Sequence, residues 1–305
     1  MFEYQKNIEV YIDQKISQYH DFRQQMIDPY LSDITGKTFL EIGYGAGLSS
    51  GGMLMSLLCR DGAATPVYGI DVVHPSFNQS NQDNIDFWKL AKEKYNLIPD
   101  SVDQYWGKHN PLIVKLHMNS ENMYLKNELV DVIYSSAVLE HVDHPDLSLK
   151  EMYRVLKPGG LAMHSWNPFT SLTMGGHDIG IPYYYPWAHL RLTKEEHIQK
   201  LKEVFSDDNL RATASVKEHT LTLDHLSNNT AESIYDGTQR DLNKVRINDM
   251  CKMATDAGFT VVDQYIWRYD LEHDHFLTNE IKNELSQYSS EELLCSSHTL
   301  ILKKN

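Results

Sequence analysis

The chain has 305 residues, of which 41% are hydrophobic and 23% charged, a composition typical of folded globular proteins. Its 42 acidic and 28 basic residues give a formal net charge of −14, and no long run of Lys or Arg occurs. Proteins that bind nucleic acid or an anionic membrane need clustered basic residues. We therefore expect neither nucleic acid nor a membrane as a partner.

Hydropathy and cysteine usage indicate the cellular location of the protein. No stretch approaches the roughly 18 apolar residues of a membrane span, and the polar residues 1–6 lack the apolar core of a signal peptide. The three cysteines, Cys59, Cys251 and Cys295, are scattered and lack metal-ligand spacing. The sequence predicts a cytoplasmic protein.

Strands and helices are predicted to alternate over the first half of the chain. Apolar periodicity predicts a helix over 5–31, strands over 37–42, 66–71, 112–118, 130–134 and 161–166, and helices over 48–59, 82–106 and 146–156. The turn Pro158-Gly159-Gly160 is predicted to end the last of these helices. This alternation predicts a parallel, doubly wound α/β sheet with helices on both faces.

The alternation stops after residue 166. Clusters of Gly, Pro and aromatic residues over 167–240, with a charged helical stretch near 193–204, predict an insertion that forms a lid over the sheet. A helix over 242–257, capped by Gly258, precedes strands over 259–268 and 298–303. We expect four segments: an N-terminal helical cap (1–36), a ligand-binding core (37–166), the lid (167–240) and the C-terminal part of the core sheet (241–305).

A glycine-rich turn follows the first predicted strand. Its glycines, Gly43, Gly45 and Gly47, lack the G-x-G-x-x-G spacing of nicotinamide sites, and no Lys follows them as in nucleotide triphosphate loops. The preceding Glu41 would repel a pyrophosphate at the helix N-terminus but suits a cationic ligand. Asp71 ends the second strand, where it can accept hydrogen bonds from ribose hydroxyls. A cation joined to a ribose describes S-adenosylmethionine.

Three segments resemble the motifs of class I S-adenosylmethionine-dependent methyltransferases. Residues 39–47 (FLEIGYGAG) resemble the first motif, 130–142 the fourth-strand segment, and 151–160 the helix and turn before the fifth strand. The resemblance covers about residues 37–166 in family order, with a weaker match over 242–303. It implies a Rossmann-like sheet of seven strands, mostly parallel with an antiparallel last strand. It also implies S-adenosyl-L-methionine as methyl donor and S-adenosyl-L-homocysteine as product.

The resemblance implies roles for the residues of the first two strands. Gly43, Gly45 and Gly47 would contact the methionine part of the donor. Glu41 would steady that turn or bind the ammonium group, and Asp71 would bind the ribose.

Three further positions match the adenine and sulfonium ends of the donor site. Asn119 stands where the family usually has Asp to receive the adenine amino group, and its carbonyl can still accept that hydrogen bond. The backbone N–H of Ser120 would meet an adenine ring nitrogen. Ser135, predicted to follow the fourth strand, would lie close to the sulfonium.

Transfer of a methyl group to a hydroxyl needs a base at the carboxyl ends of strands four and five or in the lid. His141 follows strand four, although it could only brace its loop. His177 and His189 lie in the histidine- and aromatic-rich run 175–191, which could also be a stiff loop with histidines in solvent. Among these candidates we favour His189. His273 and His275 are too few for a metal site, so no metal is expected.

The expected acceptor is a small molecule, with a hydroxyl of a sugar or glycan favoured because 186–191 resembles segments of methyltransferases linked to surface polysaccharide synthesis. N-methylation of a small amine, held by Asp178 and Tyr183 to Tyr185, is an alternative. A non-catalytic protein that binds S-adenosylmethionine and regulates a partner is another. Amino methylation of DNA bases is not expected, because Ser135-Ser-Ala-Val stands where it typically needs an Asn, Asp or Ser followed by Pro-Pro-aromatic. Cytosine C5 methylation is not expected either, because no cysteine follows a proline. A homodimer is compatible with the sequence.

Overall fold

A seven-stranded sheet organises the chain. The computed structural model describes residues 2–45, 51–72, 89, 90, 93, 113–172, 175, 185–206, 231–240, 242–269 and 271–305. The strands are β1 (Phe39–Ile42), β2 (Val67–Asp71), β3 (Ile113–His117), β4 (Val130–Ser136), β5 (Leu156–Trp166), β6 (Thr260–Tyr269) and β7 (Cys295–Lys303). Their order is β3-β2-β1-β4-β5-β7-β6, and β7 alone runs antiparallel to its neighbours. The expected Rossmann-like sheet with an antiparallel last strand is confirmed.

Helices lie between the strands. Those of the described residues are α1 (Phe2–Phe22), α2 (Gly51–Arg60), α3 (Pro145–Val155), α4 (Ala188–Arg191), α5 (Lys194–Ser206), α6 (Ala231–Arg240), α7 (Ile247–Asp256), α8 (Asn279–Glu284) and α9 (Ser290–Leu294). A π-helical turn, Arg23–Ile27, continues α1, and short 3-10 helices span Leu139–His141 and Leu271–Phe276. None of the helices in these described ranges is long and apolar enough to cross a membrane.

The alternation of side chains along β1 divides the core between the two faces of the sheet. Phe39 faces the cluster built with α1 and α2, which includes Ile12 and Met55. Leu40 faces the cluster built with α3 and α7, which includes Met152 and Met250. Both faces are therefore covered by helices, as parallel sheets require.

The largest difference from the predicted elements concerns β5. The predicted turn at Pro158-Gly159-Gly160 lies inside the strand, which begins at Leu156 and pairs there with Val130. The register then shifts, and Gly159 adopts a φ of +77° that accommodates the bulge. The helix ends at Val155, as the turn predicts, but β5 begins at the next residue. The glycines lie in the bulge, and pairing with β4 continues on both sides of it.

The other observed boundaries lie closer to the predicted ones. The predicted helix over 242–257 begins only at Ile247, and residues 242–246 form an irregular segment before it. Between the last two strands, where no helix was predicted, the chain forms a 3-10 helix, α8 and α9. Residues 89, 90 and 93 are helical, as predicted, but the rest of the predicted helix over 82–106 and much of the lid lie outside the described residues. The lid and the division into four segments therefore stay predictions.

Candidate functional site

A cavity of about 320 Å³ opens at the carboxyl edge of the sheet. It lies where β1 ends between β2 and β4, which is the position where the strand order of the sheet reverses and ligands of doubly wound folds bind. Its walls come from the turns that follow β1 to β4. The lining residues are Ile42, Gly43, Gly45, Ile70, Asp71, Val72, Met118, Asn119, Ser120, Glu121, Ala137, Val138, His141, Val142 and Asp143.

The glycine turn forms one wall of this cavity. Gly43 and Gly45 have φ values of +76° and +74°, a region that residues with side chains rarely adopt. Gly43 also lies so close to Val138 that a Cβ atom would overlap the valine Cγ2. Both glycines line the cavity, whereas Gly47 lies outside the described residues. The backbone of the turn is therefore exposed to whatever occupies the cavity.

Asp71 joins the second strand to the glycine turn. Its Oδ2 accepts the backbone N–H of Gly45 at 2.8 Å, and the residue lines the cavity. Gly43 donates its N–H to the carbonyl of Ile70 at 2.8 Å, which closes the same corner of the sheet. The Asp71 carboxylate thus contacts the glycine turn, which is predicted to bind the methionine part of the donor, and lies where the ribose is predicted to bind.

Asn119 and Ser120 line the cavity next to Asp71, in the turn after β3. Asn119 Oδ1 accepts the N–H of Glu121 at 2.8 Å, so the side chain is held in a fixed orientation by its own turn. Ser120 is buried. Their placement fits the adenine end of the donor, and their individual roles stay predictions.

Glu41 lies beneath the turn and does not line the cavity. It is buried, and the hydroxyl of Tyr134 donates to its Oε2 at 3.0 Å. Burial raises the pKa of Glu41 to about 8, although the hydrogen bond from Tyr134 and the charge of Lys115 oppose this rise. Of the two roles implied for this acid, steadying the turn fits this position better than direct contact with an ammonium group.

Lys115 and Tyr44 extend this buried group, and the sequence analysis missed both. Glu41 and Lys115 are both in register with Gly69, where a Cβ atom would lie 3.0 Å from Tyr44 and 3.1 Å from Met55. The ammonium of Lys115 lies 4.6 Å from the ring centroid of Tyr44, within the glycine turn. A glycine inside a strand often marks such a close approach, so Gly69 was the available signal.

Ser135 differs from its predicted position. It was expected after the fourth strand, but β4 continues to Ser136, so Ser135 lies within the sheet, paired with Ile42 and His164. It is fully buried, and its hydroxyl forms a 2.7 Å hydrogen bond with His164 Nδ1. Burial lowers the pKa of His164 to about 3, so this imidazole is neutral. Ser135 is not among the residues that line the cavity.

The three candidate bases lie in different places. His141 ends the 3-10 helix after β4 and lines the cavity. His189 lies in α4, where its Nε2 bonds the carbonyl of Phe169 at 2.8 Å and its ring packs edge-on against the Phe169 ring. His189 is not a lining residue of the cavity, and His177 lies outside the described residues. The structure therefore brings His141, and not His189, together with the predicted donor site.

Comparison with known proteins identifies the central region. Residues 40–163 match the family described as a methyltransferase domain. An uncharacterized methyltransferase of Mycobacteroides abscessus is 35% identical over 82 residues, which cover 27% of this chain and 31% of that protein. One of Mycolicibacterium vanbaalenii is 35% identical over 94 residues, 28% of this chain and 36% of that protein. The matches span about a third of the length of these relatives.

Two solved structures show more distant likeness over most of the chain. An S-adenosylmethionine-dependent methyltransferase from Mesorhizobium loti has a TM-score of 0.44 and 12% identity, covering 90% of this chain and 94% of that one. Phosphoethanolamine N-methyltransferase 2 of Haemonchus contortus, solved with S-adenosyl-L-methionine, has a TM-score of 0.47 and 13% identity, covering 93% and 52%. Together, the family match, the three motifs and the sheet order identify residues 40–163 as a methyltransferase domain of the class I S-adenosylmethionine-dependent family.

Proposed function

We propose that the whole chain transfers a methyl group from S-adenosylmethionine to a hydroxyl of a small molecule, with a sugar or glycan as the acceptor class. The observation that carries this proposal is the bond from Gly45 N–H to Asp71 at the cavity. It brings the exposed glycine backbone and the acid at the end of β2 to one site. When bound, the donor supplies an electrophilic methyl group on a sulfonium that is already a good leaving group.

The lining residues divide the cavity into three binding regions. Gly43 and Gly45 offer backbone close to the methionine part, and Asp71 offers a carboxylate to the ribose hydroxyls. Asn119 and Ser120 line the cavity in the turn after β3, where they offer contacts to the adenine ring. Fixing the donor in this way lets the chain align the methyl group with an acceptor, which is the main contribution that an enzyme makes to this reaction.

We assign the base to His141 because it lines the cavity. An imidazole there can take the proton of the acceptor hydroxyl. The hydroxyl oxygen then bonds to the methyl carbon as the bond from that carbon to the sulfonium sulfur breaks. His189 was favoured from the sequence, but one of its ring nitrogens is engaged by the carbonyl of Phe169. Its position supports a role in fixing the segment after β5.

A hydroxyl acceptor is supported by the histidine in the cavity wall. A histidine at the wall suits deprotonation of a neutral hydroxyl, and the net charge of −14 disfavours polyanionic acceptors. Asp143 also lines the cavity and could hold a small cationic amine. The test below therefore includes amines.

The test combines calorimetry with a methyl-transfer assay using labelled donor and panels of sugars and small amines. We expect S-adenosylhomocysteine to bind and label to appear on a sugar hydroxyl. His141→Ala should lower turnover about 10²- to 10⁴-fold with unchanged binding of S-adenosylhomocysteine, the usual range for a lost general base. A loss confined to His189→Ala would refute the base assignment. Label on an amine would refute the acceptor class, and absence of binding would refute the function.

A further inference from the structure

One short segment supplies a whole wall of the cavity. Residues 138–143, here called the cavity turn, contribute the lining residues Val138, His141, Val142 and Asp143. Within this segment, the N–H of His141 bonds the carbonyl of Val138 at 2.8 Å and closes a 3-10 turn. A segment this short needs contacts from elsewhere in the chain to keep one position.

Asn243 supplies these contacts from the segment before α7. Its side-chain Nδ2 donates to the carbonyl of Leu139 at 2.5 Å and to that of Val142 at 2.8 Å. Its backbone N–H donates to the carbonyl of Glu140 at 2.9 Å. Its Oδ1 accepts the N–H of Val245 at 3.0 Å, which fixes the orientation of the amide. One residue thus holds three carbonyls of the cavity turn.

A second attachment joins the cavity turn to the end of β5. Glu140 is buried, and its Oε1 accepts the N–H of Asn167 at 3.3 Å. On the opposite side, Val138 packs against Gly43 so closely that no side chain fits there. A shift of the cavity turn would therefore move both the glycine turn and the wall that carries His141.

We propose that Asn243 is a positioning residue for the reaction, which holds the cavity turn against Gly43 in the geometry that binds S-adenosylmethionine. The proposal rests on the proposed function of the cavity. Asn243 acts through backbone carbonyls and is not itself among the residues that line the cavity. It also lies outside residues 40–163, so the methyltransferase domain match does not include it.

The test uses two variants of the full chain. Asn243→Asp keeps the shape of the side chain, removes both Nδ2–H donors and places a carboxylate oxygen against two carbonyls. Asn243→Ala removes the side chain without adding charge. We expect each to raise the Kd for S-adenosylhomocysteine about tenfold, and to raise the KM for S-adenosylmethionine more than it changes kcat at saturation.

The matched control is Ser289→Ala, which removes the side-chain cap of α9 and does not contact the cavity turn. It should lower the melting temperature while the Kd stays within twofold of the wild-type value. Hydrogen exchange supplies an independent readout, because the amide of His141 should exchange faster in both Asn243 variants and at the wild-type rate in Ser289→Ala.

The outcomes separate this inference from the proposed function. If the wild-type chain binds S-adenosylhomocysteine and folded Asn243 variants bind it within twofold as tightly, the inference is overturned and the function stands. If the wild-type chain does not bind it, both are overturned; faster exchange at His141 would then assign Asn243 a purely structural role. Should Asn243→Ala fail to fold, the same criteria apply to Asn243→Asp.

Discussion

Asp71 holds the N–H of Gly45 and lines the cavity, where we propose that its carboxylate also binds the ribose. Asp71→Ala should weaken binding of S-adenosylhomocysteine by about 1–3 kcal/mol, the usual cost of losing hydrogen bonds to a charged group. Calorimetry measures this change. Asp256→Ala, which alters an exposed carboxylate paired with Lys252 on α7, is the control and should bind normally. Equal affinity in the two variants would place the ribose elsewhere.

A substitution of Gly43 shows whether its close approach to Val138 affects stability and ligand binding in addition to the backbone strain. Gly36 has a nearly identical φ, +70° against +76°, but a Cβ atom there would meet nothing within 4 Å. Gly36→Ala should therefore show only the cost of a left-handed residue, about 1–2 kcal/mol of the free energy of unfolding. Gly43→Ala should lose more stability and also bind S-adenosylhomocysteine more weakly. Urea unfolding and calorimetry measure both effects, and equal losses in the two variants would contradict the proposed packing.

A row of ionisable side chains crosses the central strands, from Tyr134 in β4 through Glu41 in β1 to Lys115 in β3. Because burial raises the pKa of Glu41 to about 8, the folded chain binds this proton more tightly than the unfolded chain does. Between the ordinary glutamate pKa near 4.5 and about 8, the contribution of Glu41 to stability should therefore fall as the pH rises.

Glu41→Gln should remove this part of the pH dependence, since the amide stays neutral and its carbonyl can still accept the Tyr134 hydroxyl. Urea unfolding at pH 5 and pH 8.5 should show a smaller loss of stability in the variant than in the wild-type chain. Glu195→Gln, on the exposed side of α5, is the matched control and should keep the wild-type slope. A variant with an unchanged slope would mean that Glu41 is charged in the folded protein.

At the same scale, the strand and helix boundaries show where local sequence signals failed. Pro158, Gly159 and Gly160 are strong turn formers, yet β5 passes through them because Leu156 can already pair with Val130. A central strand forms hydrogen bonds with both neighbouring strands, and local residue propensities contain no information about these distant partners. Similarly, β4 extends through Ser135 because this residue has partners on both sides.

Two buried histidines make the whole molecule sensitive to acid. Burial lowers the pKa of His164 to about 3 and that of His298 to about 4. Below the ordinary histidine pKa of 6.5 the unfolded chain binds these protons and the folded chain does not. The contribution of these two histidines to stability should therefore be lost progressively as the pH falls from about 6.5 towards about 3.

His298→Gln should reduce the loss of stability at acid pH, because it removes one of the two buried imidazoles that must stay neutral in the folded chain. Urea midpoints at pH 7.5 and pH 4.5 measure the effect, with the exposed His20→Gln as control. Because the substitution also changes packing at pH 7.5, the comparison concerns the difference in stability between the two pH values. A difference equal to that of the wild-type chain would contradict the proposed origin of acid sensitivity.

For the molecule as a whole, much of the donor site was predictable from the sequence because its residues follow consecutive parallel strands. Gly43, Asp71 and Asn119 each follow or end a strand, and such positions converge at one edge of the sheet. His141 reaches the same edge for the same reason. Ser135 and His189 were expected there as well, but neither lines the cavity.

The amino-acid sequence by itself determined the alternation of strands and helices, the glycine turn and the acid after β2, because these depend on local periodicity and on the freedom of glycine. Only the tertiary structure decided what holds these parts in place. Asn243 is far from Leu139 in sequence, and their contact exists only because the segment before α7 packs beside the turn after β4. Hydrogen bonds between distant segments depend on the closure of the whole fold, which no local pattern encodes.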